Sequence, residues 1–207
     1  MLLAAILSMI IGSPFLDDLF HYAVIPDIFI TIIFVSGIYA ISRKKLHIYI
    51  ALVLAIPMFI GVWSAYIFQA YKLVVLGHFF GALFIGFVIS LLINFIFYEK
   101  EITKEVIFAA VVVYLLMAIM LSNAYLILEF FNPGSFSLPE GPSRNTFQYL
   151  YFSFVTITTL GYGDISPVLP IARFLVFMEA VIGVFYMAIL VASLIGVSLS
   201  DRDAAHK

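Results

Sequence analysis

Residues Thr156 to Asp164 read T-I-T-T-L-G-Y-G-D, an uncharged stretch closed by an acid, with two glycines set two apart. Residues of these types do their chemistry through the main chain. A cation that sheds its water needs oxygen ligands on all sides, and backbone carbonyls supply them without a fixed charge that would hold the ion too tightly. Pointing successive carbonyls the same way needs dihedrals that alternate in hand. L-residues resist the left-handed half of that alternation, whereas glycine accepts it at little steric cost. On this reading Gly161 and Gly163 permit the alternation and Thr159 adds a carbonyl and a hydroxyl at the inner end. Tyr162, turned away from the axis, wedges against a nearby aromatic such as Tyr151 or Phe152.

The elements that hold such a loop are set by composition. Of 207 residues, 65% are hydrophobic and 11% charged, and the mean hydropathy is +1.19. Soluble domains carry about 25% charged residues. The expected fold class is therefore an all-α membrane protein, and lipid is its surrounding partner. A net charge of -2 presents no basic surface for nucleic acid, and no basic amphipathic stretch suggests binding at the membrane surface alone. With no cysteine, disulfides and thiolate metal sites are excluded.

A bilayer core about 30 Å thick takes roughly 20 apolar residues per helix. Clear spans are Ala23–Ser42, His47–Trp63, Leu73–Tyr98, Glu105–Glu129 and Pro170–Ser200. Met1–Leu16 is uncharged but short, closing at Ser13-Pro14 and Asp17-Asp18, and reads as a short first span or an interfacial or re-entrant segment. It lacks the basic start and small-residue cleavage site of a signal peptide. With six spans and both termini cytoplasmic, Arg43, Lys44, Lys45, Lys100, Lys104, Arg202 and Lys207 lie inside, against Lys72, Arg144 and Arg173 outside. Five spans with the N-terminus outside fit these charges equally well.

Between the last two spans, Asn132-Pro133-Gly134-Ser135, Pro139, Gly141 and Pro142 read as an extracellular loop. Ser143 or Asn145 then caps a helix over 146–158 that is too short to cross. The chain must return on the side it entered, and irregular backbone at that depth survives only where protein buries it or a watery cavity receives it. Two segments are expected: a four-span membrane domain, residues 1–100, and a pore domain, residues 101–207. The latter comprises an outer helix 105–129, a pore helix 146–158, a filter 159–163 and an inner helix 170–200.

Thr158-Thr159-Leu160-Gly161-Tyr162-Gly163-Asp164 resembles the signature of the potassium channel pore-loop family, whose filter is four copies of a Thr-Val-Gly-Tyr-Gly loop. Leu160 stands where Val or Ile is commoner, which leaves the carbonyl in place and is also met in the family. The resemblance runs from about Glu105 to Ser200. It implies that the carbonyls of Thr159, Leu160, Gly161 and Tyr162, with the Thr159 hydroxyl, bind K⁺ in single file in a selectivity filter that also includes Gly163, and that the pore helix aims the negative end of its dipole at the cavity. One copy of the motif is present, so ligand counting implies a homotetramer. The implied function is passive, potassium-selective conduction through a cell membrane.

Other residues carry paired readings. Voltage sensors move several charges, each worth about 2.3 kcal/mol per 100 mV, and Leu73–Tyr98 carries no Arg or Lys, so strong voltage gating is not expected. Gly77 and Gly81 in that span form a G-x-x-x-G suited to close helix packing. His78 reads as a neutral, hydrogen-bonded packing residue. Glu179, about 14 Å along the inner helix, reads either as a protonated carboxyl bonded to Ser153 or Thr156, or as a proton-sensitive brace on the filter. Gly183 is a hinge or a packing glycine. Val184, Met187, Val191 and Ile195 share one helix face and are candidates to line the cavity. Asp164, Glu129 and Glu140 would make the outer mouth negative, offset by Arg144 and Arg173.

Three rivals are weighed. Gly161-Tyr162-Gly163-Asp164 satisfies the G-x-G-D of an intramembrane aspartyl protease, but Asp164 falls at the outer end of the loop. The other candidate, Asp27, follows Pro26 near a helix start, far from the facing pair that acid–base work needs. A cation transporter with channel-like loops would carry four degenerate loops on a longer chain. A nonselective cation channel would be expected to lack the Tyr or a Gly of the motif, and all are present.

Overall fold

The computed structural model describes residues 2–20, 31–34, 36–37, 45–68, 71–99, 103–138 and 146–205. Among the described residues the helices with given bounds are α1 (Leu2–Phe20), α2 (Lys45–Phe68), α3 (Tyr71–Tyr98), α4 (Lys104–Phe131), α5 (Thr146–Ile157) and α6 (Pro170–Ala205). Residues 31–34 and 36–37 are also helical. Among the described residues four helices are long and apolar enough to cross a membrane: Lys45–Ser64, Lys72–Tyr98, Lys104–Phe131 and Pro170–Ser193. Most of the expected span Ala23–Ser42 lies outside the described residues. The first helix does not close at Ser13-Pro14 but runs on to Phe20, while its apolar part, Leu2–Gly12, is shorter than a full span.

Each long helix follows from an unbroken apolar run, and the ends follow from capping. Thr103 stands in extended conformation before α4 and its hydroxyl accepts from the Val106 N–H at 3.4 Å, with Glu105 in the first turn beside the helix's positive end. α4 has 28 residues, so it is about 42 Å long, more than the bilayer core requires. Pro57 sits inside α2 and removes one N–H from its ladder, a loss that packed neighbours tolerate in membrane helices.

Lipid is as apolar as leucine, so burial between membrane helices gains little transfer energy and close packing must hold them together. α2 and α3 meet at two glycines. A Cβ on Gly61 would stand 2.5 Å from Gly77 Cα and 2.5 Å from the Leu73 carbonyl oxygen, and one on Gly77 would stand 2.9 Å from Val62 N. The packing role expected of Gly77 is thus present, with Gly61 as its partner, whereas Gly81 lies at ordinary contact, 3.6 Å from Met58 Cγ. α4 is the central helix, packing against α1, α3, α5 and α6. Val113, Leu116, Ala118 and Ile119 of α4 join Phe84, Ile85 and Val88 of α3 and Ile157 of α5 in one core. His78 of α3 and Asn123 of α4 are buried in this packing, with His78 Nδ1 2.7 Å from Asn123 Oδ1, and Asn123 Nδ2 donates to the Ile119 carbonyl.

A second cluster lies at the other end of α4, built from Tyr125, Leu128, Phe136, Tyr149, Phe152, Ile165 and Ala172. Phe136 begins β1 (Phe136–Ser137), which pairs antiparallel with β2 (Ser166–Pro167), Phe136 opposite Pro167 and Ser137 opposite Ser166. Glu129 directs this turn. Its carboxylate accepts from the N–H of Gly134 at 2.9 Å and of Phe136 at 3.2 Å, and Gly134 takes the left-handed φ of 86° that the turn needs. The Glu129 carboxylate is thus buried and bonded to loop amides, so it shapes the turn from within the fold.

Candidate pore and filter

The loop after α5 is organised by the four carbonyls that a helix C-terminus leaves without intrahelical partners. All four are taken. Phe154 O accepts from Thr158 N and from the Thr158 hydroxyl, Val155 O from Leu160 N and Gly161 N, Thr156 O from Thr159 N, and Ile157 O from the Tyr114 hydroxyl at 2.9 Å. These bonds draw in the N–H groups of Thr159, Leu160 and Gly161. Among the described residues, no hydrogen bond ends on a carbonyl from Thr159 to Gly163.

Backbone hand alternates along the same stretch. Thr159 has φ 60°, Gly161 φ 54° and Gly163 φ 82°, while no positive φ occurs at Leu160 or Tyr162. The two glycines were legible as left-handed positions. Thr159 was not: a β-branched residue there is an outlier that neighbours must enforce, and the Thr159 N–H bond to Thr156 O contributes to that. Residues 158–164 are all exposed in the single chain.

At the outer end Asp164 accepts from the Tyr151 hydroxyl at 2.9 Å, a bond that sequence reasoning missed. Phe152 is not available to Tyr162. It packs with Tyr125 and Phe136, ring centroids 5.5 and 5.6 Å away, whereas Tyr162 is 67% exposed in the single chain. Arg173 is exposed and its Nε donates to the Pro167 carbonyl at 3.4 Å. Glu140 and Arg144 lie outside the described residues.

α5 is gripped from both sides at two residues one turn apart. On the outer side, Ser153 Oγ is 2.7 Å from the Ala118 carbonyl and Ile157 O meets Tyr114, so α4 supplies partners also one turn apart. On the inner side, Glu179 Oε1 lies 2.5 Å from Ser153 Oγ, and a Cβ on Gly183 would stand 2.8 Å from the Ile157 carbonyl oxygen. Glu179 Oε2 accepts from the Tyr125 hydroxyl, and its side chain is fully buried. At Gly183, α6 thus comes close against the end of α5. Tyr186, one turn further, donates to the Ala110 carbonyl at 2.8 Å and stacks on Tyr114.

Of the candidate cavity residues, Val184, Met187 and Val191 are exposed in the single chain, as are Phe185 and Ile189, and the side chain of Ile195 lies outside the described residues. Among the described residues no cluster of His, Asp and Glu could hold a metal ion. The loop offers instead a row of neutral main-chain oxygens.

Residues 102–198, nearly half of the chain, match a family model described as ion channel. Over this segment the chain is similar to the ion-channel family. A protein of Oryza sativa subsp. japonica described as two pore potassium channel c is 34% identical over 71 residues, which are 34% of this chain and 16% of that relative. The chain thus spans about a sixth of the length of that curated relative. No solved structure matches. A channel, not an enzyme, is what the family implies, and the protease reading of Gly161-Tyr162-Gly163-Asp164 falls away.

Proposed function

We propose that the chain is one subunit of a homotetrameric, potassium-selective channel of the cell membrane, with both termini cytoplasmic and no strong voltage gating. The observation that carries this reading is the left-handed backbone at Thr159, Gly161 and Gly163, alternating along a stretch whose carbonyls accept no hydrogen bond. Four such loops around an axis would replace the hydration shell of K⁺ with the carbonyls of Thr159, Leu160, Gly161 and Tyr162 and the Thr159 hydroxyl. The name of the rice relative supports potassium as the ion. Selection comes from the number and placement of neutral dipoles, and passage from the absence of a fixed charge that would trap the ion.

The residues divide the work. The last carbonyls of α5 aim partial negative charge toward the inner end of the loop. Gly163 and Asp164 end the filter, with Asp164 fixed by Tyr151. Val184, Met187, Val191 and Ile195 would line the cavity below. Reconstitution in liposomes with opposed K⁺ and Na⁺ gradients tests the reading: the membrane should charge to the potassium equilibrium potential. Gly161→Ala, which forces a side chain into a left-handed position, should abolish that potential. A potential that ignores the K⁺ gradient, or an unaltered one in Gly161→Ala, would refute the filter as assigned.

A further inference from the structure

The contacts around Ser153 do not balance unless a proton is added. A serine hydroxyl carries one hydrogen. Ser153 Oγ nevertheless lies 2.7 Å from the Ala118 carbonyl oxygen and 2.5 Å from Glu179 Oε1. A carbonyl can only accept, and so can an ionised carboxylate. If Glu179 were charged, one of these two close oxygen pairs would have no hydrogen between its atoms. One arrangement satisfies every atom. Glu179 is protonated on Oε1 and donates to Ser153 Oγ, Ser153 donates to the Ala118 carbonyl, and Tyr125 donates to Glu179 Oε2.

We infer that Glu179 is a positioning residue that holds the filter's pore helix through its own proton, and that losing this proton releases α5 from α4 and lowers potassium conduction. The inference rests on the channel reading above and adds a regulation to it. The chain of bonds ties α6 to α5 at Ser153 and α5 to α4 at Ala118, one turn before the helix end that organises the filter. When the carboxyl ionises, Ser153 must turn its single hydrogen to the new charge, and the Ala118 link is lost. The titratable groups that reach Glu179 are the phenols of Tyr125 and Tyr114 in α4. α5 presents only Ser153, and among the described residues no cation opposes the carboxyl. Burial and the bonds from Tyr125 and Ser153 hold the proton, with no ion pair beside it among the described residues.

Wild-type chain and Glu179→Gln, reconstituted in liposomes, should be compared for K⁺ flux from acid to alkaline pH. A glutamine offers one donor toward Ser153, one acceptor toward Tyr125, and no ionisation. Wild-type flux should fall severalfold as pH rises, while Glu179→Gln should hold the acid-side level throughout. The same alkaline loss in Glu179→Gln, or a variant that assembles yet conducts nothing at acid pH, overturns the inference. Infrared spectroscopy of the wild-type chain gives a second readout, independent of conduction and of whether the Gln variant folds. The C=O stretch of a protonated carboxylic acid should be present at neutral pH, bleach on alkalinisation and move in Ser153→Ala. No such band at neutral pH overturns the inference even if flux is potassium-selective. A band that behaves as stated, with flux that does not prefer K⁺, counts against the selectivity reading and leaves the brace standing.

Discussion

Gly183→Ala separates two roles by the sign of its effect. A glycine in mid-helix is about 1 kcal/mol less favourable than alanine, so a free hinge would gain stability from the change. In α6 the new Cβ would stand 2.6 Å from Ile157 Cγ1 and 2.8 Å from the Ile157 carbonyl oxygen. The side-chain carbon can rotate away and the carbonyl cannot, because it caps α5 and receives the Tyr114 hydroxyl. Reaching ordinary contact at 3.4 Å requires about 0.6 Å of separation between α6 and the end of α5. Overpacking of this kind costs about 1–3 kcal/mol, and displacing a fixed backbone atom belongs in the upper half of that range. After the helix-propensity gain the net is about 1–2 kcal/mol of destabilisation. Thermal unfolding of the chain in detergent measures it, with potassium flux in liposomes recorded alongside. An unchanged or raised midpoint in Gly183→Ala would refute the packing argument and leave the hinge.

Gly61→Ala should destabilise the α2–α3 pair by about 1–3 kcal/mol, since its Cβ would fall 2.5 Å from two backbone atoms, whereas Gly81→Ala, at 3.6 Å from a methionine carbon, should be near neutral in the same unfolding assay. His78→Ala leaves the Asn123 amide oxygen without its partner and should cost about 1–3 kcal/mol. Replacing His78 and Asn123 together by leucine should cost less than the sum of the single leucine changes, and additivity in that double-mutant cycle would show that the 2.7 Å contact carries no coupling.

The membrane class and the long helices were legible because apolar runs bounded by charge or breakers leave few alternatives. The short helix before the loop was readable for the same reason: a helix over 146–158 was expected and Thr146–Ile157 forms. Gly161 and Gly163 announced their backbone conformation by type. Thr159 gave no such signal, because its hand is imposed by the N–H bonds back to α5 and not by its own preference. Glu179 could be placed behind α5 by counting along α6, and Ser153 was nameable among its partners. Tyr125 and Ala118 could not be, because which face of α4 meets α5 is a packing outcome across an intervening loop. The part Glu129 plays in the turn was illegible for a related reason: an acid at a helix end near a loop reads as surface charge until the turn that folds back over it is known. Tyr114 carried a faint signal, lying one turn before Ala118 on a helix otherwise rich in small and aliphatic residues.

α2 packs chiefly on α3, α3 on both α2 and α4, and α4 also on α1, α5 and α6. Over half of the α4 span is enclosed by protein, against about a tenth of the α6 span in the single chain (56% and 11%). Among the described residues α4 is the shared neighbour of α1, α3, α5 and α6, so it is the lever by which a tilt of α3 would reach α5 and α6. That lever is stiff, because the His78–Asn123 contact locks α3 to α4 about one turn from Ala118, where α4 in turn holds α5. A tilt of α3 would therefore carry α4 with it and shift α5 as a body, with no slackening of the loops between them.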